Sequence, residues 1–390
     1  MKTVDIFLSG LSGYGDVYLD LIAKTPGVRL LAAADPFFRA PGSSAFLPFH
    51  GIPVYNDPEE YFASGGRADL VIISSPIQYH RQQAETALRY GAAVLCEKPL
   101  CACSRDAYTL KEAAERAGVP FGVGFQWSFS ETMLSLKRDI LSGAFGRPLS
   151  LKTLVSWPRG DAYYRKEGWK GKRADDAGRA VNDSVVMNAT AHYLHNMLFI
   201  LGDALNASAC PRTIEGLLLN AVPIQTFDTC FIRGIFADGC RLLFAASHVA
   251  MERADPIFEY RFEKGTVFFN ENISGLVKAV FHDGREKTYG EPQAEAETAR
   301  KFITMVDAVR SGIPPVCGIA ASLPHLLICD VLNYHLKTVP FRGDLVTRRS
   351  NPDGYCVTGL NAALTAFYQT GKLPENLAVS PPGKAVDIHP

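Results

Sequence analysis

A chain of 390 residues is long enough for two domains and an extension. Its 47% apolar and 21% charged residues mark an ordinary globular protein rather than a disordered or fibrous one. With 40 basic against 40 acidic residues and no basic stripe interleaved with aromatics, nucleic acid is excluded as a partner, and no apolar run reaches the roughly 18 residues of a membrane span.

Met1-Lys2-Thr3 runs directly into a strand pattern, which leaves no room for a signal peptide. Among nine cysteines the one close pair is Cys101-x-Cys103, a spacing that suits neither a zinc knuckle nor a redox C-x-x-C. The expectation is a cytoplasmic protein with buried, reduced thiols and no metal.

The first strand, 4–9, ends in Gly10-Leu11-Ser12-Gly13-Tyr14-Gly15, and a helix is expected over 16–24. A buried strand, a turn of small residues and a helix N-terminus form a cradle for a pyrophosphate, because the first helical N–H groups point at it. Gly10 permits the tight turn and Gly15 lets helix and strand pack closely. Ser12 stands where G-x-G-x-x-G has its second glycine; it is small but less permissive in φ/ψ. The next apolar run, 28–34, closes on Asp35, twenty residues after Gly15. A carboxylate there accepts from both ribose hydroxyls of NAD and repels the 2′-phosphate of NADP, so NAD is favoured. The plainer alternative is a simple βαβ turn with Asp35 as a cap.

Strands are further expected at 70–74, 92–96 and 121–124, and helices at 58–63, 79–90 and 104–117. This alternation predicts a parallel sheet with right-handed crossovers, whose ligands lie beyond the strands' carboxyl ends. Ser74-Ser75-Pro76, Glu97-Lys98-Pro99 and Gly124-Phe125-Gln126-Trp127 fall at those ends. Pro99 biases Lys98 toward an extended backbone; the alternative for Lys98 is a surface pair with Glu97.

From 149–157 onward the pattern changes. A polar, aromatic loop at 158–183 precedes an expected amphipathic helix at 188–201, ended by Gly202. Strand patterns follow at 212–219, 225–236, 240–248, 258–262 and 266–269, joined by short turns such as Ala237-Asp238-Gly239. That succession predicts a mostly antiparallel sheet. Helices are expected at 294–311, 323–336 and 355–369, and a Pro/Gly-rich extended tail from Gly371.

Several motifs in order give the chain a resemblance to the Gfo/Idh/MocA family of NAD(P)-dependent oxidoreductases over about residues 1–340. They are the Gly10–Gly15 turn, Ala34-Asp35-Pro36, Ser75-Pro76-Ile77-Gln78-Tyr79-His80, Glu97-Lys98-Pro99-Leu100, and Asn188-Ala189-Thr190-Ala191-His192 leading to Leu201-Gly202. The resemblance implies an α/β plus α+β architecture. An N-terminal Rossmann domain with a doubly wound parallel sheet spans 1–126. A substrate-binding and oligomerisation domain on an open, mostly antiparallel sheet spans 127–345, and a helix and tail occupy 346–390. It also implies a homodimer or homotetramer through the free sheet face, with nicotinamide and substrate between the domains.

By the same resemblance, Gly10, Ser12, Gly13, Tyr14, Gly15, Asp35, Ser74, Ser75, Pro76, His80, Glu97, Lys98 and Gln126 are the candidate cofactor residues. The family's D-x-x-x-H reads Asn188-x-x-x-His192 here. On one helix, positions i and i+4 share a face, so both side chains would enter one cleft. An amide orients a hydroxyl or an imidazole but cannot hold charge against an imidazolium; Asp183 is an alternative carboxylate.

His195 is either on the same face or a core histidine, His80 either structural or a ribose contact, and Trp127 either a nicotinamide-end contact or packing. The loop 163–171 is the expected substrate reader, with Tyr164 and Trp169 offering faces to a sugar ring and Arg165 or Lys166 binding hydroxyls or a carboxylate. Trp127, Tyr164, Arg165, Trp169 and His195 are thus the substrate candidates.

The expected reaction is hydride transfer between NAD and a secondary alcohol of a sugar, sugar acid or cyclitol. His192 serves as base, Lys98 stabilises the alkoxide and Asn188 orients the hydroxyl. The alternatives are a redox-neutral NAD-dependent glycosidase or lyase and a non-catalytic NAD-binding sensor.

Overall fold

The computed structural model describes residues 2–38, 49, 51–166, 168–378 and 383–388. The first elements are β1 (Val4–Ser9), α1 (Tyr14–Lys24), β2 (Val28–Ala34), β3 (Val54–Tyr55), α2 (Pro58–Ala63), β4 (Leu70–Ile73), α3 (Ile77–Arg89), β5 (Ala93–Cys96), α4 (Ser104–Ala117) and β6 (Phe121–Val123). Next come α5 (Glu131–Leu141), β7 (Pro148–Ser156), α6 (Asp161–Arg165) and α7 (Ala191–Ile200). A run of strands follows: β8 (Thr213–Asn220), β9 (Thr229–Ile235), β10 (Arg241–Ser247), β11 (Ala254–Phe262), β12 (Gly265–Asn270), β13 (Val277–Phe281) and β14 (Glu286–Gly290). The chain closes with α8 (Ala294–Ser311), α9 (Ile319–Asp330), β15 (Thr338–Pro340), β16 (Val346–Ser350), β17 (Asp353–Val357), α10 (Leu360–Thr370) and β18 (Val386–Asp387).

Two compact units result: residues 1–129 with 293–323, and residues 130–292 with 324–390. In the first, a parallel sheet runs β3-β2-β1-β4-β5-β6. Every residue of β4 and β5 is buried, as a sheet covered on both faces requires. Val4, Ile6, Leu8, Leu70, Ile72 and Leu95 pack with Phe302, Met305 and Val306 of α8. The sequence reading put 294–311 with the second domain. The structure returns this helix to the first, because its Phe302, Met305 and Val306 share a face and complete that core.

The second unit holds the sheet β14-β13-β12-β11-β7-β10-β9-β8-β15, with β18 beside β8. Its β7/β10 and β8/β15 pairings are parallel and the others antiparallel. Burial alternates along β12 and β13, with Phe268 and Val280 facing out, so one face is open. Followed through the register, Leu217, Phe231 and Ala245 belong to this same face, where Leu360, Leu364 and Phe367 of α10 cover it, so it stays open only over β12 and β13. Among the described residues no helix is long and apolar enough to cross a membrane.

Three helix expectations need correction. The helix expected at 188–201 is α7, starting at Ala191; 185–190 form a wider turn in which Thr190 N–H and Oγ1 donate to the Val185 carbonyl (3.1 and 2.6 Å) and break the i−4 ladder. Nor is α7 amphipathic, since only His192 among its residues is not fully buried. The helix expected at 355–369 is a strand followed by a helix: Tyr355 and Cys356 pair with Arg348 and Thr347, and Gly359, at φ +78°, sets the start of α10. The helix expected at 323–336 begins earlier, at Ile319, carries Pro324 inside it, and passes into a π-helical turn over Val331–His335.

Candidate active site

In the first unit, Gly10 (φ +89°) leaves β1 so close to the end of β4 that a Cβ would lie 2.8 Å from the Ser75 nitrogen. A Cβ on Gly15 would collide with the Gly10 carbonyl oxygen. Ser74 Oγ donates to the carbonyls of Ser9 (3.1 Å) and Gly10 (2.9 Å), tying the two strand ends across the point where strand order reverses.

Gly13 (φ +64°) is the N-cap of α1 and supplies no capping side chain; the space its Cβ would enter is open. The Ser12 and Gly13 N–H groups donate to nothing among the described residues. A helix N-terminus with unused donors and room beside Gly13 fits a pyrophosphate.

Asp35 is fixed by two backbone donors, Leu11 N–H to Oδ2 at 3.0 Å and Phe37 N–H to Oδ1 at 2.9 Å. Its carboxylate locks the glycine turn to the end of β2 and keeps lone pairs for a ribose. The turn-cap and ribose readings are therefore compatible.

The loop after β5 is built from beneath. Tyr18 Oη donates to Glu97 Oε1 at 2.6 Å, and the ammonium of wholly buried Lys301 reaches the same oxygen. Tyr14 Oη meets Thr298 Oγ1 (2.8 Å) and Gln126 Oε1 (3.3 Å), and Lys301 lies 4.9 Å from the Tyr14 ring centre. Burial, then Glu97, raises the Tyr18 hydroxyl well above its usual value. Burial alone would lower Lys301, but Glu97 and Tyr14 lift it above the ordinary lysine value. Glu97 thus serves Tyr18 and Lys301 instead of forming the surface pair with Lys98 that the sequence left open. Lys98 itself is half-buried.

His80 is buried, its Nδ1 2.8 Å from the Pro99 carbonyl and its Nε2 2.8 Å from that of Ser75; burial lowers its pKa. It bridges two loops from within. Ser75 Oγ donates to Gln83 Oε1 at 2.6 Å, Pro76 is the N-cap of α3, and Trp127 is buried in the 3-10 turn Gln126–Phe129.

The second unit carries the other candidates. His192 is the second residue of α7, but Asn188 stands outside that helix, so their shared helical face is withdrawn. His195 is buried and stacks on Phe199 at 5.8 Å between ring centres; burial, then His325 and Lys137, hold it well below the usual imidazole value. Asp183 is buried and accepts from Gly171 N–H at 2.6 Å, which shapes the loop.

Tyr164 is drawn inward, its hydroxyl 3.0 Å from His248 Nδ1, while Arg165 points out and pairs with Asp161 at 3.3 Å. Trp169 is buried. Glu167, within the expected reading loop, lies outside the described residues.

Sequence reasoning missed Lys301, Thr298, Arg159 and His248. A lysine in register with Phe302 and Met305 on the apolar face of an otherwise regular helix was the available signal for Lys301. The strand ending in Ser247-His248 gave none.

A family model described as an oxidoreductase family with an NAD-binding Rossmann fold matches residues 5–125. Residues 5–125 belong to the Gfo/Idh/MocA oxidoreductase family. A 1,5-anhydro-D-fructose reductase of Ensifer adhaerens is 30% identical over 138 residues, 35% of this chain and 38% of that protein. An inositol 2-dehydrogenase of Rubrobacter xylanophilus is 30% identical over 193 residues, 49% of this chain and 50% of that protein. The matched stretches therefore cover half or less of these two relatives' length.

Among solved structures, a levoglucosan dehydrogenase in complex with NADH aligns with a TM-score of 0.71 at 17% identity, covering 85% of this chain and 96% of that one. The WlbA dehydrogenase of Bordetella pertussis, in complex with NADH and UDP-GlcNAcA, aligns at 0.67 and 19% identity, covering 85% and 95%. These two likenesses show a shared fold over 85% of this chain.

Proposed function

We propose that the protein is an NAD-dependent dehydrogenase acting on a secondary alcohol of a sugar, sugar acid or cyclitol. The observation that carries this reading is the open cradle at Gly13, with Asp35 fixed beside it at the strand-order switch. The Gfo/Idh/MocA membership of residues 5–125 and relatives named as an anhydrofructose reductase and inositol dehydrogenases support the chemistry and the substrate class.

Bound NAD would supply the hydride-transfer chemistry. The chain's own work is to bind, orient and neutralise. Ser12 and Gly13 N–H groups hold the pyrophosphate, and Asp35 the ribose. Lys98 places positive charge against a developing alkoxide, and the His192 imidazole takes the hydroxyl proton. Asn188, in the turn before α7, orients the hydroxyl. The part of the sheet left uncovered over β12 and β13, with Phe268 and Val280, is read as the self-association surface, which light scattering tests directly.

The deciding experiment uses Lys98→Met. The variant is expected to titrate NADH fluorescence like the parent and to lose turnover by orders of magnitude. Normal turnover would overturn the role of Lys98. Product formation by the parent without net NADH would favour the redox-neutral alternative, and NAD binding with no turnover across sugars, sugar acids and inositols would favour a sensor.

A further inference from the structure

The loop after β7 collects buried hydrogen-bond donors that have no acceptor. Arg159 Nε, Trp169 Nε1 and His248 Nε2 are each shielded from solvent with no partner, and none of these three residues has an ion pair among the described residues. Burying a polar group without a partner is costly, so three in one region call for a common explanation.

Arg159 and His248 lie around Tyr163, and Lys170 links Tyr163 to Trp169. The Arg159 guanidinium lies 4.9 Å from its ring centre, the Lys170 ammonium 4.3 Å and the His248 ring 5.5 Å, while Lys170 also lies 5.7 Å from the Trp169 ring. The Tyr164 hydroxyl and His248 Nδ1 are hydrogen-bonded at 3.0 Å, and in the tautomer where the hydroxyl donates the imidazole hydrogen sits on Nε2. Arg159 Nε and Trp169 Nε1 are donors in every state and His248 Nε2 in that tautomer, with the Lys170 ammonium beside them.

Arg159 and Tyr163 also line a cavity of 360 Å³, in the range of about 300–1,000 Å³ common for small-molecule sites. Its acids, Asp161 and Asp353, are both engaged by Arg348, at 3.0 and 2.7 Å. Of the neighbouring buried carboxylates, Asp228 is turned onto backbone, accepting from Ala221 and Val222 N–H at 2.7 and 2.9 Å, while Asp183 Oδ2 accepts from Gly171 N–H at 2.6 Å. Arg159 connects this cluster to α7: its guanidinium lies 5.9 Å from the Trp157 ring, which meets Tyr193, the neighbour of His192, edge-on at 5.5 Å.

The geometry points to an oxyanion subsite in which Arg159, His248 and Trp169 hold a carboxylate or phosphate group carried by the polyol substrate. Acceptor-only oxygens are the chemistry that meets these N–H groups and the Arg159 charge at once. This deepens the proposed function and rests on it for the remainder of the substrate.

The test titrates the full-length protein, saturated with NAD, with D-glucose, D-gluconate and D-glucose 6-phosphate by calorimetry. At least one anion is expected to bind ten-fold or more tighter than the neutral hexose, and which one identifies carboxylate or phosphate as the group. Arg159→Met should abolish that preference and Arg159→Lys should retain part of it, both with NAD affinity unchanged. Arg159 makes no ion pair, so these variants are expected to fold; circular dichroism checks that. Equal binding of all three compounds, binding of none at millimolar concentration, or a preference that survives Arg159→Met overturns the subsite. Loss of NAD binding in the parent would instead overturn the dehydrogenase reading.

Discussion

Lys301 of α8 is wholly buried, and its ammonium meets the carboxylate of Glu97, the residue immediately before Lys98. A lysine two hundred residues further along the chain thereby anchors the loop that bears the proposed catalytic amine. Replacing Lys301 by Met would leave a buried carboxyl with only Tyr18 as side-chain partner and is expected to destabilise by about 3–5 kcal/mol. The double variant Lys301→Met/Glu97→Gln should recover much of that loss, because no uncompensated charge remains. Denaturant unfolding of the four proteins measures the coupling.

Gly15 and Gly13 separate collision from strain. Gly15→Ala forces a Cβ onto the Gly10 carbonyl and must displace the turn; NADH affinity is expected to fall at least on the order of a hundred-fold, as a displacement near 1 Å commonly costs. Gly13→Ala meets no atom but holds φ +64°, ψ −108°, outside the left-handed helical region, so a loss of about 1–3 kcal/mol in stability is expected. Fluorescence titration and thermal unfolding distinguish the two.

Asp35→Ala removes the acceptor of two backbone N–H groups and the proposed ribose ligand together. A stability loss of about 1–3 kcal/mol is expected from the stranded donors, with a shift of cofactor preference toward NADP. Unchanged preference beside reduced stability would reduce Asp35 to a turn cap.

His248 sets a pH window. Burial, then the charges of Arg159 and Lys170, push its pKa down from 6.5 to about 3. Between those values the unfolded chain binds a proton that the folded chain refuses. Stability therefore falls as pH drops through this window, by up to about 1.4 kcal/mol per pH unit for one such group. His248→Gln should flatten the acid limb of a stability–pH curve by nearly that slope. His80 and His195, also lowered by burial, act in the same direction and leave a residual slope.

Local signals account for what the sequence made legible. The glycine turn, Asp35 and the strand–helix alternation have short-range causes, and β1, β2, α2 and α4 lie where the pattern put them. What stayed hidden depends on distant partners. Asn188 looks helical at i−4 from His192, but Thr190 bonding back to Val185 opens the turn between them. Tyr355 reads as helix until its pairing with Arg348 makes it strand. Lys301 and His248 acquire roles only from Glu97 and Tyr164, far away in the chain.

The return of α8 has a consequence for biosynthesis. On the ribosome, residues 4–123 emerge with every strand of the parallel sheet but without Phe302, Met305 and Val306. The nucleotide-binding half must wait, part-built, while β7 to β14 are translated, and it closes only when its last wedge of apolar side chains leaves the exit tunnel. A fragment cut after residue 126 would keep that wound open permanently.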